Sequence, residues 1–298
     1  MKKKAIIILS IVCCVIFVTL VMIFISGKST DDISETSYFM PKQVRYSFSL
    51  QNKTNKLLND IKFWTYAPVK QTSTQFCEKI EASHPYQIIN NHLGVQVLEF
   101  SFEHFPPFAT RIISIKANLL MSENPCHISE VAMDEFLKPG INCESDHPDI
   151  IQQALALKAE NAIQTAENIF SWVSKHIRYS GYIKNARGSL YALSQKKGDC
   201  TEYMYLFIAL CRANKIPSRG IAGYICNEND ILKPSALHNW AEFFDGKVWW
   251  VVDPQNKIFM ENRKSYFAMR IIERQNKEPM LEFNRFRVQG QGIHVKMN

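Results

Sequence analysis

The sequence has few of the patterns by which nucleic-acid-binding and metal-binding proteins are identified. Its formal charge of +7 over 298 residues is spread along the chain, with no run of basic residues beyond the N-terminus. No nucleic-acid-binding motif occurs, so we do not expect nucleic-acid binding. His84, His92 and His104 are scattered over turns or exposed strand positions, without the spacing of a ligand set. We therefore predict no metal ion and no cofactor.

The composition is that of a folded protein. Hydrophobic residues make up 46% of the chain and aromatic residues 12%, which excludes disorder. The length is sufficient for two domains of ordinary size. The cysteine count defines no disulfide pattern. Cys77, Cys126, Cys143 and Cys226 could pair in an oxidising compartment, but the connectivity stays open.

An uncharged apolar run lies near the N-terminal end of the chain. Lysines at positions 2–4 precede apolar residues 5–25. About twenty apolar residues span a bilayer core, whereas a cleaved signal has an apolar region of about 7–15. We therefore predict cytoplasmic lysines and a signal anchor over residues 1–28, in a single-pass membrane protein whose remainder is extracytoplasmic, periplasmic or extracellular. A cleaved signal peptide is the alternative, although residues 25–27 match a cleavage site poorly.

Residues 38–121 have the pattern of short strands. Tyr46, Phe48 and Leu50 alternate with polar neighbours, and turn-forming residues separate the later apolar runs. Several short strands with turns between them are typical of a small β-sandwich. We predict an accessory β-sandwich domain over residues 38–121, followed by a connector over residues 122–148.

Residues 149–298 are predicted to form a second domain. Apolar residues recur with helical spacing from 150 to 177, and the rhythm is interrupted at Glu160-Asn161. This pattern predicts two helices. The polar residues 179–197 are predicted to form an approach loop and one wall of a substrate cleft. The end of the chain is predicted to add one or two closing strands.

A third helix is predicted from signals at both of its ends. Asp199 can cap the first turn, and Glu202, three residues later, can complete a capping box. At the other end Asn214 can adopt the left-handed conformation, and Pro217 prevents continuation. Cys200 is then the first helical residue, beside unpaired N–H groups and the positive end of the helix dipole. This position favours a thiolate.

A helix terminus alone is too weak to activate a thiol. It contributes about 0.3–1 kcal/mol, whereas strongly activated cysteines owe much of their reactivity to a neighbouring cation. Downstream, Asp245-Gly246 separates two apolar and aromatic runs and predicts a β-hairpin. His238 begins the first strand and Asp253 ends the second, nearly opposite each other. Each residue alone has an ordinary structural explanation, but together they have the arrangement that a Cys-His-Asp triad needs.

These segments match a known family in order and in spacing. Gly198-Asp199-Cys200 opens an apolar helix, and the later matching segments are residues 210–219, 223–224, 238–240 and 250–254. From about residue 134 to 260 the chain resembles the transglutaminase-like superfamily, a branch of the papain-fold cysteine enzymes. Two minor departures are Asn239, where many members have alanine, and Gln255, where threonine is usual.

The resemblance implies the fold and the roles of the site residues. The fold is expected to be α+β, with a papain-like, transglutaminase-like core in which the cysteine-bearing helix packs on an antiparallel sheet, after the β-sandwich and the transmembrane helix. Cys200 matches the family nucleophile, His238 the general base and acid, and Asp253 the residue that orients the histidine. For the oxyanion we consider the Cys200 backbone N–H with Gln195 or Trp240 as a further donor.

The expected activity is thiol acyl transfer at amide bonds. Hydrolysis needs only water, whereas crosslinking needs a second site that excludes water, and the sequence has no feature that builds one. We therefore favour a cysteine peptidase or amidase of the cell envelope, with a protein or peptide substrate, over a glutamine-crosslinking transglutaminase. A membrane-tethered binding module with an idle triad is the third alternative. No Cys-x-x-Cys pair occurs, which argues against a zinc-dependent peptide N-glycanase. The oligomeric state stays open.

Overall fold

The structure is a computed structural model that describes residues 38–128, 133–182, 184–226, 230–261, 263–272 and 284–298. These described residues belong to one compact unit. The predicted anchor, residues 5–25, lies outside the described residues and stays a prediction. In the part of the chain that is described, no helix combines the length and the apolar composition needed to cross a bilayer.

Six strands form between residues 40 and 121, where the alternating pattern predicts strands. They are β1 (Met40–Asn52), β2 (Leu58–Ala67), β3 (Gln75–Ala82), β4 (Gln87–Asn90), β5 (Gln96–Phe105) and β6 (Thr110–Met121). In β1, Val44, Tyr46, Phe48 and Leu50 are buried, because alternate side chains of a strand point to the same face. β1, β6 and β3 belong to one sheet, and β2, β5 and β4 to another. Both sheets contribute to one apolar core.

Four helices follow in the second half of the chain. They are α1 (Pro148–Ala156), α2 (Ala162–His176), α3 (Gly188–Gln195) and α4 (Cys200–Ala213). α1 and α2 confirm the two helices predicted from the apolar rhythm. Asn161 marks the start of α2, because its side chain accepts a hydrogen bond from Gln164 N (3.0 Å) and caps the helix.

α3 corrects the prediction of a loop over residues 179–197. The Glu144 carboxylate accepts hydrogen bonds from the backbone N–H groups of Ser189 (3.0 Å) and Leu190 (3.2 Å). These are first-turn N–H groups with no partner inside the helix. The cap comes from a residue 45 positions away in the chain, so the sequence of the segment itself does not show it.

The end of α4 also differs from the prediction. Asn214 has a φ of −87°, and Lys215, with a φ of 63°, adopts the left-handed conformation instead. The Asn214 side chain donates to the carbonyl oxygens of Ala154 (2.8 Å) and Leu210 (3.3 Å). Asn214 therefore links α4 to α1, and the reversal of the chain falls one residue later.

Eight further strands are described between residues 178 and 272, and five of them build a further sheet. They are β7 (Arg178–Tyr179), β8 (Lys197–Gly198), β9 (Ser218–Ile225), β10 (Asp230–Ile231), β11 (Leu237–Phe244), β12 (Trp249–Asp253), β13 (Ile258–Phe259) and β14 (Tyr266–Ile272). Five of them pair in the order β13-β12-β11-β9-β14, all antiparallel. β7 and β8 form a short parallel pair just before α4.

The two faces of this five-stranded sheet pack against different partners. Ala241, Phe243 and Val252 share an apolar core with α4, and the rings of Phe243 and Phe207 lie 6.4 Å apart. Trp240 belongs instead to the core of the β-sandwich. The helix with Cys200 at its start therefore packs on an antiparallel sheet, in a mixed fold of helices and antiparallel sheets.

Strands from the second half of the chain complete the sandwich sheets. β10 pairs with β1 in parallel. Two later strands, β15 (Phe286–Gln289) and β16 (Ile293–Met297), pair with β2 and β1 respectively. The predicted closing strands therefore exist, and they close the sheets of residues 40–121. The predicted domain bounds stay a prediction.

Candidate active site

Cys200 is the first residue of α4 and follows the predicted capping box. The Asp199 side chain accepts a hydrogen bond from Thr201 N (2.8 Å), and Glu202 Oε2 accepts one from Asp199 N (3.0 Å). Both bonds satisfy N–H groups at the start of the helix. The structure confirms this cap, which begins the helix at Cys200. The thiol is partly exposed, at the positive end of the helix dipole.

The other cysteines in the described part of the chain lie in apolar cores. All six described cysteines are free thiols, and every one except Cys200 is buried. Burial raises the pKa of Cys77 to about 11 and that of Cys143 to about 11. These thiols are therefore protonated at neutral pH and shielded from a substrate. Among the described residues, Cys200 is the cysteine that a substrate can reach.

His238 and Asp253 approach each other across the β11–β12 pair. Ala241 pairs with Val252, and continuing that register places Asp253 across from Trp240, two residues from His238. In an antiparallel pair, such diagonal positions lie on one face and within reach of long side chains. His238 Nε2 lies 2.7 Å from Asp253 Oδ2. The predicted neighbours do meet, but diagonally rather than directly opposite.

The turn that sets this register is longer than Asp-Gly alone. Phe244 pairs with Trp249, so residues 245–248 form the loop. The Asp245 carboxylate accepts hydrogen bonds from the backbone of Lys247 (2.7 Å) and Val248 (2.9 Å) and from the Trp250 indole (2.8 Å). These bonds outweigh the effect of burial and lower the pKa of Asp245. The charged carboxylate thereby holds the loop closed.

Asp253 lies at the centre of a hydrogen-bond network. Besides His238, its Oδ2 accepts from the Asn256 side chain (2.7 Å) and from the Tyr266 hydroxyl (2.8 Å). Its Oδ1 accepts from Asn256 N (3.2 Å). The carboxylate is 1% exposed, so these donors take the place of water. Because Asp253 occupies Nε2 of His238, the other ring nitrogen is left for the Cys200 thiol, whose interaction with the ring contributes to the raised pKa of His238.

The network holds His238 in its charged form. Burial of the ring opposes the positive charge, but the hydrogen bonds to Asp253 and Cys200 outweigh this effect and raise the pKa of His238 to about 9. Burial likewise opposes the charge of Asp253, yet the hydrogen bond and charge of His238, with the Asn256 and Tyr266 donors, lower the pKa of that carboxyl. At neutral pH the site therefore contains an imidazolium beside a carboxylate.

The raised pKa of His238 predicts how stability depends on pH. An unfolded histidine titrates near 6.5 and His238 titrates at about 9 in the fold. Its contribution is therefore fully present below pH 6.5 and is lost as the pH rises through 9. We expect the free energy of unfolding of the wild type to fall by up to about 3 kcal/mol more than that of a His238→Gln variant over this window.

Urea denaturation between pH 6 and pH 10 measures this difference. The matched control is His294→Gln, which removes an exposed histidine of β16 and should retain the wild-type pH dependence. Parallel curves for the wild type and His238→Gln would show that His238 is not held as an imidazolium.

Two residues of the network are missed by sequence reasoning. Asn256 donates to Asp253 and lies 3.3 Å from His238 Nε2 through its side chain, and Tyr266 donates from β14. The spacing from Asp253 to Asn256, with a proline between them, is typical of a turn that folds back on an aspartate side chain. That signal could identify Asn256. Tyr266 has no local signal, because its position depends on how β14 pairs with β9.

The two predicted oxyanion residues lie on different elements, Gln195 at the end of α3 and Trp240 in β11. Gln195 is exposed at the end of α3. Trp240 is buried in the sandwich core, on the sheet face away from α4, with its ring 5.0 Å from that of Tyr266. The indole N–H of Trp240 has no hydrogen-bond partner among the described residues. Within the same residues, no hydrogen bond connects Gln195 or Trp240 to Cys200. Their oxyanion role stays a prediction.

Further contacts fix the helix start against its surroundings. The Asn239 side chain donates to the Thr201 hydroxyl (2.9 Å) and ties β11 to the first turn of α4. Asn239, a departure from the family pattern, thus lies between the two elements that carry Cys200 and His238. On the other side, Glu202 Oε1 accepts from Arg187 N (2.8 Å). The start of α4 is therefore held by hydrogen bonds from both neighbouring segments.

Comparison with known proteins supports the family resemblance. Residues 151–254 match the family model described as the transglutaminase-like superfamily, so this part of the chain is a domain of that superfamily. The matched range includes Cys200, His238 and Asp253. The superfamily suggests cysteine-based chemistry. No curated protein matches the chain.

Solved structures show a similar fold. A candidate cysteine protease from Cytophaga hutchinsonii is 17% identical, with a TM-score of 0.57, over 87% of this chain and 92% of its own. At this identity the likeness shows the fold alone. The periplasmic domain of TgpA from Pseudomonas aeruginosa is 14% identical, with a TM-score of 0.38, over 72% of this chain and 90% of its own. That TM-score is too low to support a conclusion about the fold of this chain.

Proposed function

We propose that the protein is a thiol acyl-transfer enzyme that acts on amide bonds. Cys200 is the nucleophile, His238 the general base and acid, and Asp253 the group that orients His238. One observation carries this proposal: His238 Nε2 lies 2.7 Å from Asp253 Oδ2, and the interactions of the ring with Asp253 and Cys200 raise the pKa of His238 to about 9, which makes it a cation at neutral pH. An imidazolium beside a thiol favours the thiolate, which is the reactive form.

The reaction follows from this charge state. The Cys200 thiolate bonds to the amide carbonyl carbon, the C–N bond breaks, and the leaving amine takes the proton of His238. The Cys200 backbone N–H, at the start of α4, is the proposed donor to the oxyanion. His238 then removes a proton from water as the water oxygen attacks the thioester. The carboxylic acid leaves, and the thiolate and the imidazolium are restored.

We propose hydrolysis rather than crosslinking. Cys200 is partly exposed, and Asn256, which contacts His238, is exposed. Water can therefore reach the thioester from the His238 side. A crosslinking enzyme must keep water away until an amine attacks, and the partial exposure of Cys200 does not favour such exclusion. The proposed activity is that of a cysteine peptidase or amidase.

The pH dependence of alkylation at Cys200 tests the proposal. We expect iodoacetamide to alkylate Cys200 rapidly at pH 6–7 in the full chain, and about tenfold or more slowly in a His238→Ala variant, because the imidazolium is lost. Mass spectrometry of the peptide that contains Cys200 separates this reaction from those of the other cysteines. His176→Ala removes a histidine that stacks on Trp172 and should retain the wild-type profile.

Equal alkylation rates in the wild type and in His238→Ala would contradict the triad. The alternative of a binding module with an idle triad would then explain the protein better. Rapid alkylation that depends on His238 would instead justify a screen of peptide amides. In that screen, release of free acid indicates hydrolysis, and incorporation of an added amine indicates crosslinking.

We also propose that the enzyme works in the cell envelope on protein or peptide substrates. This proposal is supported by the apolar residues 5–25 and the lysines before them, a pattern that favours an anchor with the rest of the chain outside the cytoplasm. The same alkylation in intact cells, with a membrane-impermeant reagent, tests this placement.

A further inference from the structure

The segment before Cys200 has an uneven distribution of charge. Between Asn168 and Gly198 there is no aspartate or glutamate. The same segment contains six lysines and arginines, here called the basic rim: Lys175, Arg178, Lys184, Arg187, Lys196 and Lys197. Of the six, Lys196 and Lys197 alone are adjacent, so the sequence shows no long basic run. Six cations and no acidic residue give this segment a net charge of +6, contrary to the even spread expected from the sequence.

The basic rim is attached to the start of α4. Arg178 pairs with Lys197, and Tyr179 pairs with Gly198, two residues before Cys200. Paired strands lie about 4.8 Å apart, so β7 runs directly beside the chain that leads into the nucleophile. Farther along, Arg187 N donates to the side chain of Glu202 in the first turn of α4. The rim is therefore attached at two points within three residues of Cys200 along the chain.

The charges of the rim face solvent without acidic partners. Every rim residue except Lys197 is exposed, and none of the six forms an ion pair within the described residues. Lys196 lies 4.2 Å from the ring centre of Trp172, and Arg187 lies 4.9 Å from that of Tyr191. Such contacts orient a cation without neutralising it. Lys175, in the last turn of α2, and Lys196, the C-cap residue of α3, also complement the dipoles of their helices, but that explanation does not apply to Arg178, Lys184 or Arg187.

Exposed aromatic rings accompany these cations. Tyr179 is 57% exposed and Tyr182 is 73% exposed. Tyr179 is the last residue of β7, and Tyr182 lies between β7 and Arg187 in the sequence. Together they provide apolar surface against which an extended chain can pack. A surface of unpaired cations attracts anions and raises their local concentration.

We infer that the basic rim selects acidic peptides, with aspartate or glutamate side chains near the amide that Cys200 attacks. The inference rests on the proposed function and names its substrate class. An amide that reaches Cys200 must place its flanking residues beside β7 and Arg187, where carboxylates meet unpaired cations. A peptide is favoured over an anionic membrane surface because the proposed nucleophile attacks an amide carbonyl, which a peptide supplies and phosphatidylglycerol lacks.

The first test compares two alkylating reagents of similar size. Iodoacetate is an anion, and iodoacetamide is neutral. Replacing Arg178, Lys184 and Arg187 together by glutamine should lower the ratio of the iodoacetate rate to the iodoacetamide rate at Cys200 by about three- to tenfold at low ionic strength. The matched control replaces three exposed lysines of the sandwich strands and their loops by glutamine: Lys53, Lys56 and Lys296. It should leave the ratio unchanged.

The second test measures binding without catalysis. In the full chain with Cys200→Ser, a fluorescent glutamate-rich peptide should bind at least tenfold more tightly than its glutamine counterpart, and the triple rim variant should lose this preference. Equal binding of both peptides would overturn the inference. Binding only to phosphatidylglycerol vesicles would also overturn it, in favour of a membrane surface.

The two proposals fail in different measurements. If alkylation of Cys200 does not depend on His238, the proposed enzyme activity is wrong even where the acidic peptide binds. If alkylation depends on His238 but neither the reagent ratio nor peptide binding responds to the rim, the enzyme proposal stands and the acidic substrate class is wrong.

Discussion

Replacing Asp253 by asparagine is expected to lower kcat/KM for an amide substrate by about 10³–10⁴-fold. Asp253 Oδ2 accepts from three donors, and Oδ1 accepts from Asn256 N. An asparagine that keeps its oxygen toward His238 must turn its amide N–H groups toward the Asn256 N–H, so two donors face each other. The negative charge that helps to hold the pKa of His238 at about 9 is lost as well. His238 then becomes a neutral, poorly oriented ring.

The same hairpin offers a matched control for this substitution. Asp245→Asn changes a carboxylate that also accepts three hydrogen bonds, but at the far end of β11 and β12. We expect it to cost some stability and to leave kcat/KM within a few-fold of the wild type. The measurement is the rate on the amide substrate that the wild type cleaves fastest in a peptide screen. Similar losses for both variants would indicate a general effect on the hairpin and no special role for Asp253.

The start of α4 could be predicted because capping is local. The side chains of Asp199 and Glu202 accept hydrogen bonds from N–H groups within three residues. All groups of the capping box therefore lie in residues 199–202. The helical rhythm of residues 150–177 is local in the same way. Cys200 at the first helical position follows from these signals alone. The hairpin could also be predicted, since Asp245 closes it through bonds to its nearest neighbours.

The register of β11 against β12 could not be predicted, because it depends on the length of the loop. A two-residue turn would bring His238 and Asp253 into nearly opposite positions, whereas the four-residue loop places them diagonally. Both registers leave the side chains of His238 and Asp253 on one face of the sheet. The predicted contact therefore exists although the predicted loop length was wrong. An odd shift would have moved one of them to the other face.

The support of the site from distant segments could not be predicted either. Tyr266 reaches Asp253 only because β14 pairs with β9, and α3 is capped by Glu144. The Gln75 side chain of the sandwich bonds to both the carbonyl oxygen (3.1 Å) and the N–H (2.9 Å) of Ala268 in β14. The sandwich therefore contacts the strand that carries Tyr266. Such contacts depend on tertiary packing, which leaves no periodic trace in the sequence.

Gly198→Ala is expected to destabilise the protein by about 2–4 kcal/mol and to remove most of the reactivity of Cys200. A Cβ at this position would lie 2.3 Å from Glu202 Cβ and 2.8 Å from Glu202 Cγ. Glu202 is 0% exposed and lies in the first turn of α4, so it has no free space to move into. The added methyl group must displace either the helix start or the Glu202 carboxylate. Displacing the carboxylate breaks its bonds from Arg187 N and Asp199 N.

Gly220→Ala is the matched control. Its added Cβ also contacts α4, but at the flexible end of a side chain. That Cβ would lie 2.9 Å from Met204 Sδ and 3.1 Å from Met204 Cε, at the flexible end of the side chain. We expect a loss of about 1 kcal/mol or less and a wild-type rate of alkylation at Cys200. Urea denaturation and alkylation at pH 7 measure both variants. Wild-type stability and reactivity in Gly198→Ala would show that the helix start tolerates displacement. Glu202 would then not position the nucleophile.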